Sequence, residues 1–135
     1  MKRLLLMLVI ITTVLSCSKD DDNNISVLSE LIGEWELQSK SINNNTPAVI
    51  EDDKLLFRED SDIKDLNGNY SYIATNETNG NFVIGIYNTI VLTTNSGNSR
   101  TYDFDLNAIT LVLRYEDDDS NAITEVWTKT SHFVE

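Results

Sequence analysis

Ser99-Arg100-Thr101-Tyr102-Asp103-Phe104-Asp105-Leu106 is the stretch that decides the fold class. Tyr102, Phe104 and Leu106 take alternate positions, and Thr101, Asp103 and Asp105 take the positions between them. In an extended chain successive side chains point to opposite faces, so this order builds one apolar face and one wet face. A helix would scatter the same residues around its circumference. Asn95-Ser96-Gly97-Asn98 before the stretch and Asn107-Ala108 after it are turn-forming, so the strand is short and bounded at both ends.

Outward from that strand the pattern repeats. Toward the C-terminus Ile109 to Glu116 contains Leu111-Val112-Leu113, apolar on both faces, which predicts a central strand or one covered by a helix. Asp117 to Asn121 is a polar loop, and Ala122 to Thr130 closes the chain with Ile123, Glu125, Trp127 and Lys129 on one phase. Toward the N-terminus lie Thr89 to Thr94 and Phe82 to Tyr87, separated near Asn88, with Gly85 as an alternative bulge position. Asn79-Gly80 supplies the left-handed conformations of a tight hairpin turn. Before it come Asn69 to Thr75, with Tyr70 and Tyr72 on one face, and Asp53 to Glu59, with Leu55 and Phe57 on one face. The first strand, Glu34 to Ile42, places Trp35 and Leu37 inward and Glu34, Glu36, Gln38 and Lys40 outward. Ile25 to Ile32 has the three- and four-residue apolar spacing of one or two helical turns, stopped by Gly33.

Eight short strands in sequence, joined mostly by hairpin-length turns, predict an all-β fold: a small antiparallel up-and-down barrel with a short N-terminal helix. Closure is the arrangement that leaves no exposed sheet edge. A β-sandwich is the alternative, with longer crossovers and about seven strands.

The N-terminus carries an address. Lys2 and Arg3 precede a 12-residue apolar run from Leu4 to Leu15, followed by Ser16 and Cys17. A membrane-spanning helix needs roughly 20 apolar residues, so the run reads as a cleavable signal peptide, residues 1–16. Val14-Leu15-Ser16-Cys17 resembles the lipobox of bacterial lipoproteins. That resemblance implies a lipid attached to Cys17, the only cysteine in the chain, and cleavage just before it. Residues 17–25 form a polar, acidic tether that cannot bury enough apolar surface to order itself, and residues 26–135 form the domain. Lys19-Asp20-Asp21 resembles a surface-export signal of some gram-negative lipoproteins, and Ser18 beside the lipidated residue resembles the outer-membrane sorting rule. The expected location is the outer membrane, lipid-anchored, facing the cell surface, with a periplasmic orientation as the alternative.

The whole chain carries a net charge of −12, and the mature 119 residues, with eight basic and 22 acidic side chains, carry −14. Such a field repels nucleic acid and anionic lipid surfaces, which makes both poor partners and argues against nucleic-acid binding.

Leu31-Ile32-Gly33-Glu34-Trp35-Glu36-Leu37 resembles the opening of lipocalin-like proteins, in which Gly-x-Trp follows a short helix. Ile109 to Tyr115 and Glu125 to Lys129 resemble the closing hairpin of small lipocalin-like domains on bacterial lipoproteins. In that family the tryptophan closes one end of the barrel beneath a basic residue from a late strand. The resemblance therefore implies that Trp35 packs under Arg114 or Lys129, with Arg114 the residue chosen, and that the barrel binds a small apolar or amphipathic ligand.

Catalysis finds little support. The only histidine is His132, three residues from the end, and the only thiol is the lipid-attachment site, so no activated nucleophile is expected and the chain reads as a non-enzyme without cofactor. Glu116-Asp117-Asp118-Asp119-Ser120-Asn121 concentrates oxygen ligands suited to calcium, but Ala122 stands where the calcium loop needs glycine and no glutamate closes it. It reads as a solvated hairpin tip, and no metal site is assigned. The aromatic residues fall on the apolar phase, where they either fill the barrel or line a pocket. Tyr72, Tyr102 and Trp127 are the expected ligand-contacting residues, because each joins apolar area to a hydrogen-bonding tip. A filled core displaying its loops to another protein is the competing reading.

Overall fold

The structure, a computed structural model, describes residues 20–48, 52–62 and 65–131, so the signal segment, Cys17 and His132 lie outside the described residues. Helix α1 (Asp20–Leu31) leads into strands β1 (Gly33–Ile42), β2 (Lys54–Glu59), β3 (Asn67–Ile73), β4 (Glu77–Ile84), β5 (Thr89–Thr94), β6 (Ser99–Leu106), β7 (Thr110–Glu116) and β8 (Ala122–Ser131). Each strand pairs antiparallel with the next, and β8 returns to β1, which closes the barrel. The sandwich alternative is thereby excluded. β5 and β6 run between the very residues that the alternation pattern marks.

Two elements depart from the sequence reading. The helix starts at Asp20, well inside the expected tether. Acidic residues are the type favoured in a helix's first turn, where free N–H groups concentrate positive potential, so the aspartates that read as solvated linker also suit a helix start. The second departure is at Asn79-Gly80, which sits inside β4 rather than in a turn; the chain reverses instead at Ala74 to Asn76, where the Ala74 N–H donates to the Asn76 carbonyl at 3.2 Å. Gly80 faces Tyr70 across the β3–β4 ladder. A Cβ there would lie 2.8 Å from the Tyr70 ring and closer still to the Thr93 carbonyl oxygen, so glycine is needed for close approach and not for chain reversal. The true break after β4 is at Gly85 to Asn88, with Tyr87 and Asn88 both at φ 57°.

Alternation places one set of side chains inside. Around α1 the interior is dry: Leu28, Leu31, Trp35, Phe57, Phe82 and Phe104 pack as one cluster, and Phe57 meets Phe82 edge to face at 5.2 Å. Trp35 anchors the plug by donating its indole N–H to the Leu31 carbonyl at 2.9 Å.

Lys129, not Arg114, covers that tryptophan. Its ammonium lies 4.9 Å from the Trp35 ring centre and donates to the Glu30 carbonyl, which ties β8 to the end of α1. Arg114 alternates with the buried Leu111 and Leu113 of β7, so it faces outward, where it pairs with Asp105 at 2.7 Å. The choice of Arg114 fails because its strand phase is wrong.

A bulge in β1 repositions one more residue. Leu37 pairs with Trp127, but Ser39 pairs with Val126, so Gln38 is an extra residue on β1. A one-residue insertion exchanges the faces of everything beyond it. Lys40 consequently faces Glu125 on the inside, whereas simple alternation puts it outside.

Candidate ligand-binding site

At the end of the barrel away from α1 the interior opens into a cavity of about 250 Å³. Its apolar wall comes from Leu55, Leu92 and Leu113. Tyr72 on β3, Tyr102 on β6 and Trp127 on β8, expected as contact residues, all line it, and Tyr72 meets Trp127 edge to face at 6.2 Å. These three come together because each is in the inward phase at the open half of its strand.

Further residues that sequence reasoning did not assign to the pocket join them, among them Lys40, Arg100, Tyr115 and Glu125. The signals were present. Arg100 and Glu125 share the alternating phase of Tyr102 and Trp127, and a charged residue on an apolar phase marks an interior polar site. For Lys40 the clue is a slip of parity, since the apolar positions run Trp35, Leu37 and then Ile42.

These residues form a network. Glu125, whose side chain is only 9% exposed, accepts from the Tyr115 hydroxyl at 2.9 Å and pairs with the Lys40 ammonium at 3.1 Å. Lys40 also donates to the Tyr115 oxygen at 3.2 Å. The Arg100 guanidinium lies 5.2 Å from the Tyr115 ring centre and pairs at 2.7 Å with Asp118, which is 96% exposed at the rim. Tyr102 stacks edge-on against Tyr115 at 4.8 Å. Tyr72 donates to the Asp53 carboxylate at 2.7 Å.

Burial disfavours phenolate and pushes the Tyr102 hydroxyl up to about 12, against an opposing pull from Arg100. Tyr72 and Tyr115 rise as well, through burial and then through the neighbouring Asp53 and Glu125 carboxylates respectively. All three therefore stay neutral hydrogen-bonding groups at physiological pH. The Trp127 indole N–H is the exception to this satisfied network: it is buried and has no hydrogen-bond partner among the described residues. A buried donor left unpaired costs roughly 1–3 kcal/mol.

The acidic loop after β7 uses its carboxylate internally. Asp117 Oδ1 accepts from the backbone N–H groups of Asp119 at 3.0 Å and Asn121 at 2.9 Å. These bonds hold the Asp117 carboxyl below its usual range, the Asn121 backbone bond foremost. Asn43, at φ 51°, completes the rim by accepting from the Ala122 N–H at 2.8 Å. Among the described residues no cluster of three or more His, Cys, Asp or Glu side chains is placed to hold a metal.

No family model matches the chain, and no curated protein matches it. Among solved structures it is similar to a lipocalin-like protein from Bacteroides uniformis ATCC 8492 (14% identity, 75% of this chain and 99% of that one, TM-score 0.56). An uncharacterized protein from Bacteroides eggerthii DSM 20697 matches at 11% identity over 74% of this chain and 99% of the other, TM-score 0.56. A de novo designed fluorescence-activating β-barrel matches at 8% identity over 76% and 96%, TM-score 0.53. At such identities the likeness is one of fold, and the fold this chain shares with them is a closed, eight-stranded, lipocalin-like barrel.

Proposed function

We propose that this chain is an exported, lipid-anchored binding protein that holds one small amphipathic molecule in the open half of its barrel and performs no chemistry on it. The observation that carries the reading is the cavity of about 250 Å³, walled by tyrosines, leucines and the Trp127 ring. Its size lies between the roughly 150 Å³ of a benzene-binding cavity and the 300–1,000 Å³ of sites for drug-sized ligands. A ring with a short side chain suits that volume. The sole cysteine and sole histidine precede α1 and follow β8, which favours binding over nucleophilic catalysis.

The anchor is supported by the order Lys2-Arg3, Leu4 to Leu15, Ser16-Cys17, and surface display at the outer membrane by Lys19-Asp20-Asp21. Native mass spectrometry of the protein purified from its own cells tests the binding reading. A co-purifying small molecule, lost when Leu113→Trp fills the cavity, is expected; a bare protein mass throughout would favour a display module. For the anchor, Cys17→Ala is expected to accumulate as unacylated, uncleaved precursor, and normal maturation of that variant would contradict the assignment.

A further inference from the structure

We infer that the cavity is built for a small organic monocarboxylate, gripped by Lys40 and Arg100 while its apolar body lies against the tyrosine and leucine walls. The inference deepens the ligand-binding reading above and rests on it.

Charge placement carries the case. The chain has a net charge of −12, and its described residues include six lysines and arginines. Two of the six, from strands β1 and β6, converge on one cavity-lining ring: the Lys40 ammonium lies 5.9 Å and the Arg100 guanidinium 5.2 Å from the centre of Tyr115. One buried carboxylate, Glu125, answers them. Glu125 pairs with Lys40, whereas Arg100 pairs with Asp118, which stands in water at the rim, where an ion pair is screened and easily exchanged. The cavity therefore holds one more cation than buried anion, and a low-dielectric wall focuses that excess toward an entering anion.

Stability alone does not explain the arrangement, since a buried ion pair in a barrel core is often no better than apolar residues of the same volume. The form of the excess selects the ligand. A planar guanidinium presents paired N–H donors that match the two oxygens of a carboxylate, and one excess positive charge balances a monoanion rather than a dianionic phosphate. The neutral Tyr102 hydroxyl supplies a further donor beside the charged head, while those of Tyr72 and Tyr115 are given to Asp53 and Glu125. A neutral hydrophobe of equal size would leave all of these donors unused.

The test compares 3-phenylpropanoate with 3-phenylpropanamide, which share one body and differ in charge, by calorimetry on the purified protein at pH 7. The acid is expected to bind at least about tenfold more tightly, with an advantage that shrinks as salt rises. Arg100→Gln removes a cation without stranding a buried anion and should erase most of that preference; Arg100→Lys should restore part of it. The Trp127 indole N–H resonance should move on binding. Equal binding of acid and amide, or a preference that survives Arg100→Gln, would overturn the carboxylate assignment while leaving the cavity as a binding site. No binding of either probe would overturn both.

Discussion

Replacing Lys40 by methionine is the sharpest test of the interior network. Without the β1 bulge Lys40 would be a surface lysine, and its removal would leave stability almost unchanged. In the observed register it is the ion-pair partner of Glu125, whose side chain is 9% exposed against 32% for Lys40. Breaking a buried pair by removing one partner costs about 3–5 kcal/mol. The Tyr115 hydroxyl still donates to the stranded carboxylate at 2.9 Å, as it does with Lys40 present, and the partial exposure of the Lys40 position lets water offset roughly 1 kcal/mol. Lys40→Met should therefore lower stability by about 2–4 kcal/mol at pH 7, read as a drop in urea midpoint. Lys40→Met/Glu125→Leu should regain most of it, since the apolar pair strands no charge. Lys54→Met is the control, for Lys54 holds Glu34 at 2.7 Å on the outer face and its loss should hardly move the midpoint. Equal midpoints for Lys40→Met and Lys54→Met would refute the inward register of Lys40.

At the plugged end, Lys129→Met should cost about 1 kcal/mol and alter Trp35 fluorescence, through loss of the bond to Glu30 and the cation over the ring. Arg114→Ala should cost between about 0 and 1 kcal/mol and leave that fluorescence unchanged. Gly80→Ala forces a methyl against Tyr70 and the Thr93 carbonyl and should destabilise by roughly 1–3 kcal/mol in chemical denaturation. Alkaline titration should show a fall in stability beginning near pH 10. Tyr102 ionises at 10.0 when unfolded and about 12 when folded, so its contribution is complete below pH 10 and is lost as pH climbs toward 12. At about 1.36 kcal/mol per pH unit that is about 3 kcal/mol from this residue. Lys129, held below 10.5 chiefly by burial, acts in the opposite sense at lower pH, so the decline is best read above 10.5. A flat profile there, monitored by circular dichroism, would count against burial of the tyrosines.

Strand phase was the legible part of this protein. Tyr102-Asp103-Phe104-Asp105 states its own orientation, and the same alternation located Tyr72 and Trp127 on the wall they occupy. What stayed hidden depends on partners distant in sequence. Gly80 reads as a turn residue until Tyr70 is seen to lie across it, because close approach and chain reversal both ask for a missing Cβ. Arg114 and Lys129 are separated by phase, and applying the alternation to β7 as strictly as to β6 would have distinguished them. Lys40 was the hardest, since a bulge obeys no local composition and leaves only the mismatch between Leu37 and Ile42.

The surplus Gln38 also bears on how such a barrel diversifies. Moving that single spare residue along β1 would swap, at one stroke, which of the side chains it passes look into the lumen and which look into solvent, with no substitution required. Placing the bulge beyond Ser41 should evict Lys40 and turn Ser39 and Ser41 toward the lumen instead, whereas deleting Gln38 should leave Lys40 opposite Glu125 in an unbulged strand. Where β1 absorbs its extra residue is thus a route by which this scaffold could trade a charged recognition surface for a neutral hydroxylated one while every other strand keeps its pairing.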